Sequence, residues 1–259
     1  MTAHAFLPLR NSIVILLSAF VLATTARCES DAVSAAVAYC APYRQTIHLS
    51  DDRKILCFDG MIKRDLDMDP FRRLEDNGFF VIRSTGGYFE PAIQLADLLQ
   101  EKNATVIIHG YCLSACANYV FVATNRTYVL KNAIVAWHGA PSAAYCNRLF
   151  RGDEKTIEFL EGYCDKINAH LQFFAKRGIS GRFAYQPQTP YTLNMVKAYL
   201  AGAGDKRSVF WMWNPQNFRD YFKSRIAFEA YPASQYEVND ILGRWRLSRV
   251  MRAVYDPAE

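Results

Sequence analysis

Apolar residues along this chain come in short unbroken runs, each followed by a small-residue turn and then by a segment with three-and-four spacing. Phe79 to Ile82 is such a run; it breaks at Ser84-Thr85-Gly86-Gly87 and leads into a predicted helix with Ile93, Leu95, Ala96 and Leu99 on one side. Thr105 to Ile108 repeats the pattern, breaks at Gly110 and enters Cys112-Leu113-Ser114-Ala115-Cys116-Ala117, which reads as a helix start. A third run, Ala133 to Trp137, ends on His138-Gly139. Runs of this kind suit strands buried on both faces. Their alternation with helices predicts an α/β fold whose chemical groups gather where the strands end.

The flanks fit the same scheme. Lys54 to Ile62 reads as a first buried strand, and Asp69-Pro70 as a helix start with Asp69 as its N-cap. Gly152 to Arg177 carries Ile157, Leu160, Cys164, Ile167, Leu171 and Phe174 at helical spacing. Leu193 to Leu200 predicts another helix and Phe210 to Trp213 a short aromatic strand, more suited to a core than to a stacking platform. Asn214-Pro215 starts a helix through Phe218 and Tyr221, and Val238 to Val254 reads as helical. His109 ends its run just before Gly110 and is expected to pack.

Composition narrows the class. With 259 residues, 51% of them hydrophobic and 21% charged, the chain is long and apolar enough for one sizeable domain with appendages, and a disordered chain is excluded. The net charge of +5 is modest. Arg244, Arg246, Arg249 and Arg252 alternate with Trp245, Leu247 and Val250 as the solvated face of a terminal helix would, so no nucleic-acid partner is inferred.

The N-terminus adds a compartment. Arg10, the uncharged run Ile13 to Leu22 and the small residues Ala23-Thr24-Thr25-Ala26 follow the order of a secretory signal, with cleavage expected after Ala26 and no transmembrane segment left behind. Cys28 does not make this a lipoprotein site, because Arg27 stands where a small residue is needed. Export, to the periplasm or beyond in a bacterium, gives the 7 cysteines an oxidising environment. Cys40–Cys57 and Cys146–Cys164 are the pairings expected among many connectivities. On a regular helix the four-residue spacing of Cys112 and Cys116 is awkward for a bridge, so these are expected as buried thiols beneath Ser114. There is no CxxC, HExxH or HxxxH, and neither a metal nor a cofactor is expected.

Ser84-Thr85-Gly86-Gly87, then Gly110-Tyr111-Cys112-Leu113-Ser114-Ala115, then His138-Gly139 together resemble the ClpP/crotonase superfamily, and within it the Clp-type serine peptidases and their secreted bacterial relatives. The likeness spans about residues 54–175, with a weaker echo at 211–224. It implies repeated ββα units in a spiral, a serine peptidase acting on peptide or protein substrates, and ring-shaped or stacked homo-oligomers. The implied layout is a signal peptide over 1–26, an irregular mature N-terminus over 27–53, the ClpP/crotonase-like domain over 54–230 and a C-terminal helical extension over 231–259.

Carried over residue by residue, the resemblance makes Ser114 the nucleophile and His138 its general base. Gly87 and Ala115 would offer backbone N–H groups to the oxyanion, and Gly86 with Gly87 would bind substrate. Physical chemistry agrees. A helix N-terminus favours a developing alkoxide, and a Gly-Gly turn lets the substrate backbone approach. One part departs from the pattern: where the family carries its aspartate, Phe210-Trp211-Met212-Trp213-Asn214 holds no acid. Asp153, Asp165 and Asp205 are the nearest carboxylates and none matches the motif. A Ser–His dyad, a backbone carbonyl behind His138, and a silent relative that binds peptides or partners through the same groove all stay open, and the third member stays unassigned. A CoA pocket of the crotonase branch is not identifiable.

Overall fold

In this computed structural model the structure describes residues 30–43, 46–139, 167–180, 184, 189–202, 205–214, 222 and 226–257. Residues 1–42 and 43–259 form separate compact units. The first holds a helix, α1, over residues 30–40, where an irregular segment was expected. The leader expected over 1–26 lies outside the described residues, as do the predicted helix beginning at Pro215 and the first part of the one beginning at Gly152. No helix among the described residues is long and apolar enough to cross a membrane.

The second unit is mixed α/β and built on a mostly parallel sheet. Strands β1 (Ile47–Leu49), β2 (Ile55–Asp59), β3 (Phe79–Ser84), β4 (Thr105–Leu113), β5 (Thr127–Val129) and β8 (Ile226–Phe228) lie side by side in that order. Only the β1–β2 pair is antiparallel; every other pair in the sheet is parallel. The connections β2–α2 (Asp69–Arg73)–β3 and β3–α3 (Phe89–Glu101)–β4 are the strand–helix–strand units that the apolar runs predict. Leu56, Phe58, Phe80, Ile82, Val106 and Ile108 are buried, and Leu95, Ala96 and Leu99 of α3 belong to the same core. Phe58, Phe71 and Phe80 cluster at ring separations of 5.7–6.4 Å. Asp69 is the first residue of α2 rather than its cap. Met68 holds the cap position, and Asp67 accepts the Asp69 N–H at 2.9 Å.

β4 does not end at Gly110. Gly110 has φ +96°, and a Cβ there would meet the Trp245 ring at 2.7 Å, so only glycine lets the strand bend while Trp245 packs against it. His109 and Tyr111, on either side, both meet that indole edge-on. The bend forks the sheet. Val106–Ile108 of β4 pair with β5, whereas Tyr111–Leu113, beyond the bend, pair with β6 (Ile134–Ala136).

Behind the fork lies a two-stranded parallel sheet of β7 (Ser208–Met212) and β9 (Met251–Tyr255). Phe210 and Met212 share a second core cluster with Val238, Ile241 and Leu242 of helix α6 (Gln235–Arg244) and with Leu113 and Ala136 of the sheet. The C-terminal segment is therefore a helix followed by a strand, not one helix to Val254. Arg246 has φ +58° and interrupts the helical run. The basic residues divide as well: Arg244 pairs with Asp240 one turn earlier, and Arg252 pairs with Asp205.

The end of the Gly152 helical pattern appears as α4 over residues 167–176, and α5 spans Pro190–Ala201 with Thr189 as its N-cap. Arg177 follows α4 with its guanidinium buried, donating to Asp97 Oδ1 at 2.9 Å and to Ala96 O at 3.2 Å, both on α3. A buried cation needs such partners, and these fasten α4 to α3.

Candidate active site at the fork

The serine turn follows directly from the bent strand. Leu113 is the last residue of β4, Ser114 adopts φ +54°, and the chain turns into a short π-helix, Cys116–Val120. Its five-residue hydrogen bond runs from Phe121 N to Cys116 O at 3.0 Å. Ser114 N donates to Ala136 O on β6 at 3.0 Å, and Ser114 O accepts from Asn118 N at 2.8 Å. With both backbone groups satisfied, the hydroxyl of this half-buried residue is left to other partners. Non-glycine residues hold left-handed angles where the surroundings enforce them, often at functional sites.

The surroundings here are covalent. Cys112 and Cys116 form a disulfide with Cα atoms 5.2 Å apart. This corrects the expectation of free thiols, which assumed both residues on one regular helix. Cys112 belongs to β4, and the left-handed residue between them folds Cys116 back beneath the strand end. Cys40 and Cys57 are each disulfide-bonded, whereas Cys146 and Cys164 lie outside the described residues.

His138 arrives on the other prong. Trp137 and Trp211 exchange backbone hydrogen bonds of 2.9 and 2.7 Å, which fixes the end of β6 against β7. The next residue places His138 Nε2 2.6 Å from Ser114 Oγ. Phe210 packs on the imidazole with ring centroids 4.8 Å apart. His138 remains an exposed residue, but the packing around its ring pulls the pKa below the ordinary imidazole value. The ring is therefore neutral at pH 7 and able to take a proton. Asn118 Nδ2 donates to Gly139 O at 3.3 Å, so one buried residue holds the backbone of both Ser114 and the residue after His138.

The glycine turn closes the third side. Gly86 has φ +86°, and a Cβ there would lie 2.4 Å from Leu113 O, 2.7 Å from Ser114 Cβ and 2.8 Å from Ala115 N. The two turns touch, and glycine is what lets them. Ser84 Oγ accepts the Gly86 N–H at 3.1 Å, while Gly86 O and Tyr88 N bond to Ile62 at 2.7 and 2.9 Å. Among the described residues, no backbone carbonyl takes the N–H of Gly87 or of Ala115.

Ser114, His138, Gly86 and Ala115 thus come together, with Gly87 next in the chain. Asp205 is engaged elsewhere, by Arg207 and Arg252, and those guanidiniums hold its pKa below the usual carboxylate value. Asp153 and Asp165 lie outside the described residues. No cluster of metal-ligating side chains occurs among the described residues. Phe210 and Asn118 were missed as site residues. Asn118 stands four residues after Ser114, a spacing that marks it as a one-turn neighbour. Nothing in the sequence marks Phe210 as more than a core residue.

No family model matches the chain, and no curated protein does. Among solved structures it is similar to a point mutant of ClpP1 from Listeria monocytogenes, at 18% identity and a TM-score of 0.37, over 52% of this chain and 81% of that one.

Proposed function

We propose that the chain is an exported serine peptidase or hydrolase of the Clp-like type. Ser114 Oγ attacks a peptide or ester carbonyl while His138 Nε2 takes its proton. The tetrahedral oxygen is held by the N–H groups of Gly87 and Ala115, and the substrate backbone lies along Gly86-Gly87. His138 returns the proton to the leaving group, and water then releases the acyl chain by the same steps. The observation that carries this reading is the 2.6 Å separation of His138 Nε2 and Ser114 Oγ. It is supported by the touching glycine turn and by a histidine whose lowered pKa leaves it neutral at pH 7.

The finer architecture belongs to the same proposal: a leader over 1–26, a mature N-terminus over 27–53, a spiral of ββα units over 54–230, and residues 231–259 as an extension contributing α6 and β9. No cofactor is called for. The partners are a peptide or protein substrate and further copies of the chain. Export is supported by the N-terminal pattern and by disulfides that persist in oxidising compartments.

A fluorophosphonate probe tests the chemistry. It is expected to label Ser114 in the purified protein. Ser114→Ala abolishes labelling, and His138→Ala slows it by on the order of 10³-fold, because nucleophile and base act as one unit. Folded wild-type protein that is never labelled at any pH overturns the hydrolase reading in favour of a peptide-binding groove.

A further inference from the structure

The serine turn joins a paired strand to a short buried π-helix. Cys112 is fixed: it pairs with Ser84 of β3 on one side and with Val135 of β6 on the other. Cys116 opens a five-residue π-helix, too short to be stable alone. Between them stands Ser114 with φ +54°. Of the six non-glycine residues at positive φ among those described, three are Asn, whose side-chain amide stabilises that conformation locally. Ser114 has no such support, because its hydroxyl is engaged with His138. The bridge under it adds a covalent tie to the backbone hydrogen bonds from Ser114 N to Ala136 O and from Asn118 N to Ser114 O.

Resting on the hydrolase reading, we infer that the Cys112–Cys116 disulfide is a positioning element for the nucleophile: the Ser114–His138 pair is assembled in the oxidised chain and comes apart in the dithiol. Both cysteines are 0% exposed and sit in the main core cluster, so the bond is sealed from large reductants and does not exchange with substrate. Its work is geometric. Opening it leaves two buried thiols, frees Cys116 from the strand end, and lets Ser114 relax to negative φ, which swings Oγ away from Nε2. The site then depends on the compartment: a chain folded in a reducing environment carries the same residues without the pair.

The test uses the full mature protein. Tris(2-carboxyethyl)phosphine in mild urea reduces the bond; each disulfide takes two electrons and two protons to become two thiols, and the phosphine becomes its oxide with oxygen from water. Alkylation and mass analysis confirm which cysteines are open. A Cys112→Ser/Cys116→Ser variant makes the same change while leaving Cys40 and Cys57 intact. Two signals are followed in each form: the rate of fluorophosphonate labelling at Ser114, and the NMR titration of the His138 ring.

Labelling is expected to fall about tenfold or more in both forms, with the fold retained by circular dichroism, and to recover when the reduced wild type is reoxidised. The His138 midpoint is expected to rise toward that of a solvated imidazole as the turn opens. Labelling at the wild-type rate with an unmoved His138 midpoint, in either folded form, overturns the inference. An oxidised protein that never labels but whose His138 midpoint shifts on reduction overturns the hydrolase reading and upholds the positioning role. If the double variant cannot fold, the two signals of the reduced wild type decide between the same outcomes.

Discussion

Lowering the pH from 7 to 4 should destabilise the fold through one side chain, His170, by an amount that follows from its surroundings. Tyr119 Oη and His170 Nδ1 are 2.8 Å apart, and both residues are completely buried among Phe173 and Phe174. Burial lowers the His170 pKa from 6.5 to about 4. Above pH 6.5 the ring is neutral in the folded and unfolded chains alike, and it contributes no pH dependence. Between 6.5 and 4 the unfolded chain binds a proton that the folded chain refuses, so stability is lost progressively across that window and levels off below it. At about 1.4 kcal/mol per pH unit the loss reaches roughly 3 kcal/mol, a large share of the roughly 5–15 kcal/mol that holds a typical domain together. Urea unfolding of wild type and His170→Gln at closely spaced pH values isolates the contribution, because other titrating groups cancel in the difference. The wild-type protein should lose roughly 3 kcal/mol relative to the variant between pH 7 and 4. A difference that stays constant with pH would refute the reasoning, and so would an NMR titration showing His170 protonated near pH 6.

Two further outcomes follow from the site. The labelling rate at Ser114 should rise as the pH climbs through a His138 midpoint below 6.5 and be flat by pH 7, since burial favours the neutral ring; a midpoint above 6.5 contradicts the assigned surroundings. Gly86→Ala should lower the thermal midpoint by several degrees and labelling by at least about tenfold, because its Cβ would meet Leu113 O at 2.4 Å. Gly243→Ala, inside α6 with nothing within 4 Å of the new methyl, should instead stabilise by about 0.5–1 kcal/mol in a urea titration.

The parts of the site legible in the sequence were those that local pattern encodes. An apolar run followed by small residues is a buried strand entering a tight turn, and three such units in order placed Ser114, His138 and Gly86-Gly87 near one another. What escaped depended on tertiary context. Gly110 looked like the end of a strand because glycine weakens one; Trp245, 135 residues later, turns it into a bend and carries the strand on to Leu113. That misplaced end put Cys112 on a helix and hid the disulfide. The strand Met251–Tyr255 was hidden in the same way, since Met, Ala and Val fit a helical face as readily as a strand until a left-handed Arg246 separates them from α6. Asp69 shows the limit of capping rules: an Asp directly before Pro suits the role, yet Met68 holds the cap position and Asp69 opens the helix.

The fork at Gly110 also bears on where the alignment of the base originates. In a strand with one wet face, alternation of apolar and polar residues forbids sliding, but Ile134, Val135, Ala136 and Trp137 are all buried and apolar, so alternation says nothing about their position. A slip of one residue along β4 would carry His138 about 3.3 Å and turn it to the opposite side. The stop against such sliding is the reciprocal Trp137–Trp211 pairing, and Trp211 is itself held in place by Val254 of β9. The last described strand is thus a ruler for His138: loosening β9 would be read out in the Ser114–His138 separation without touching either residue.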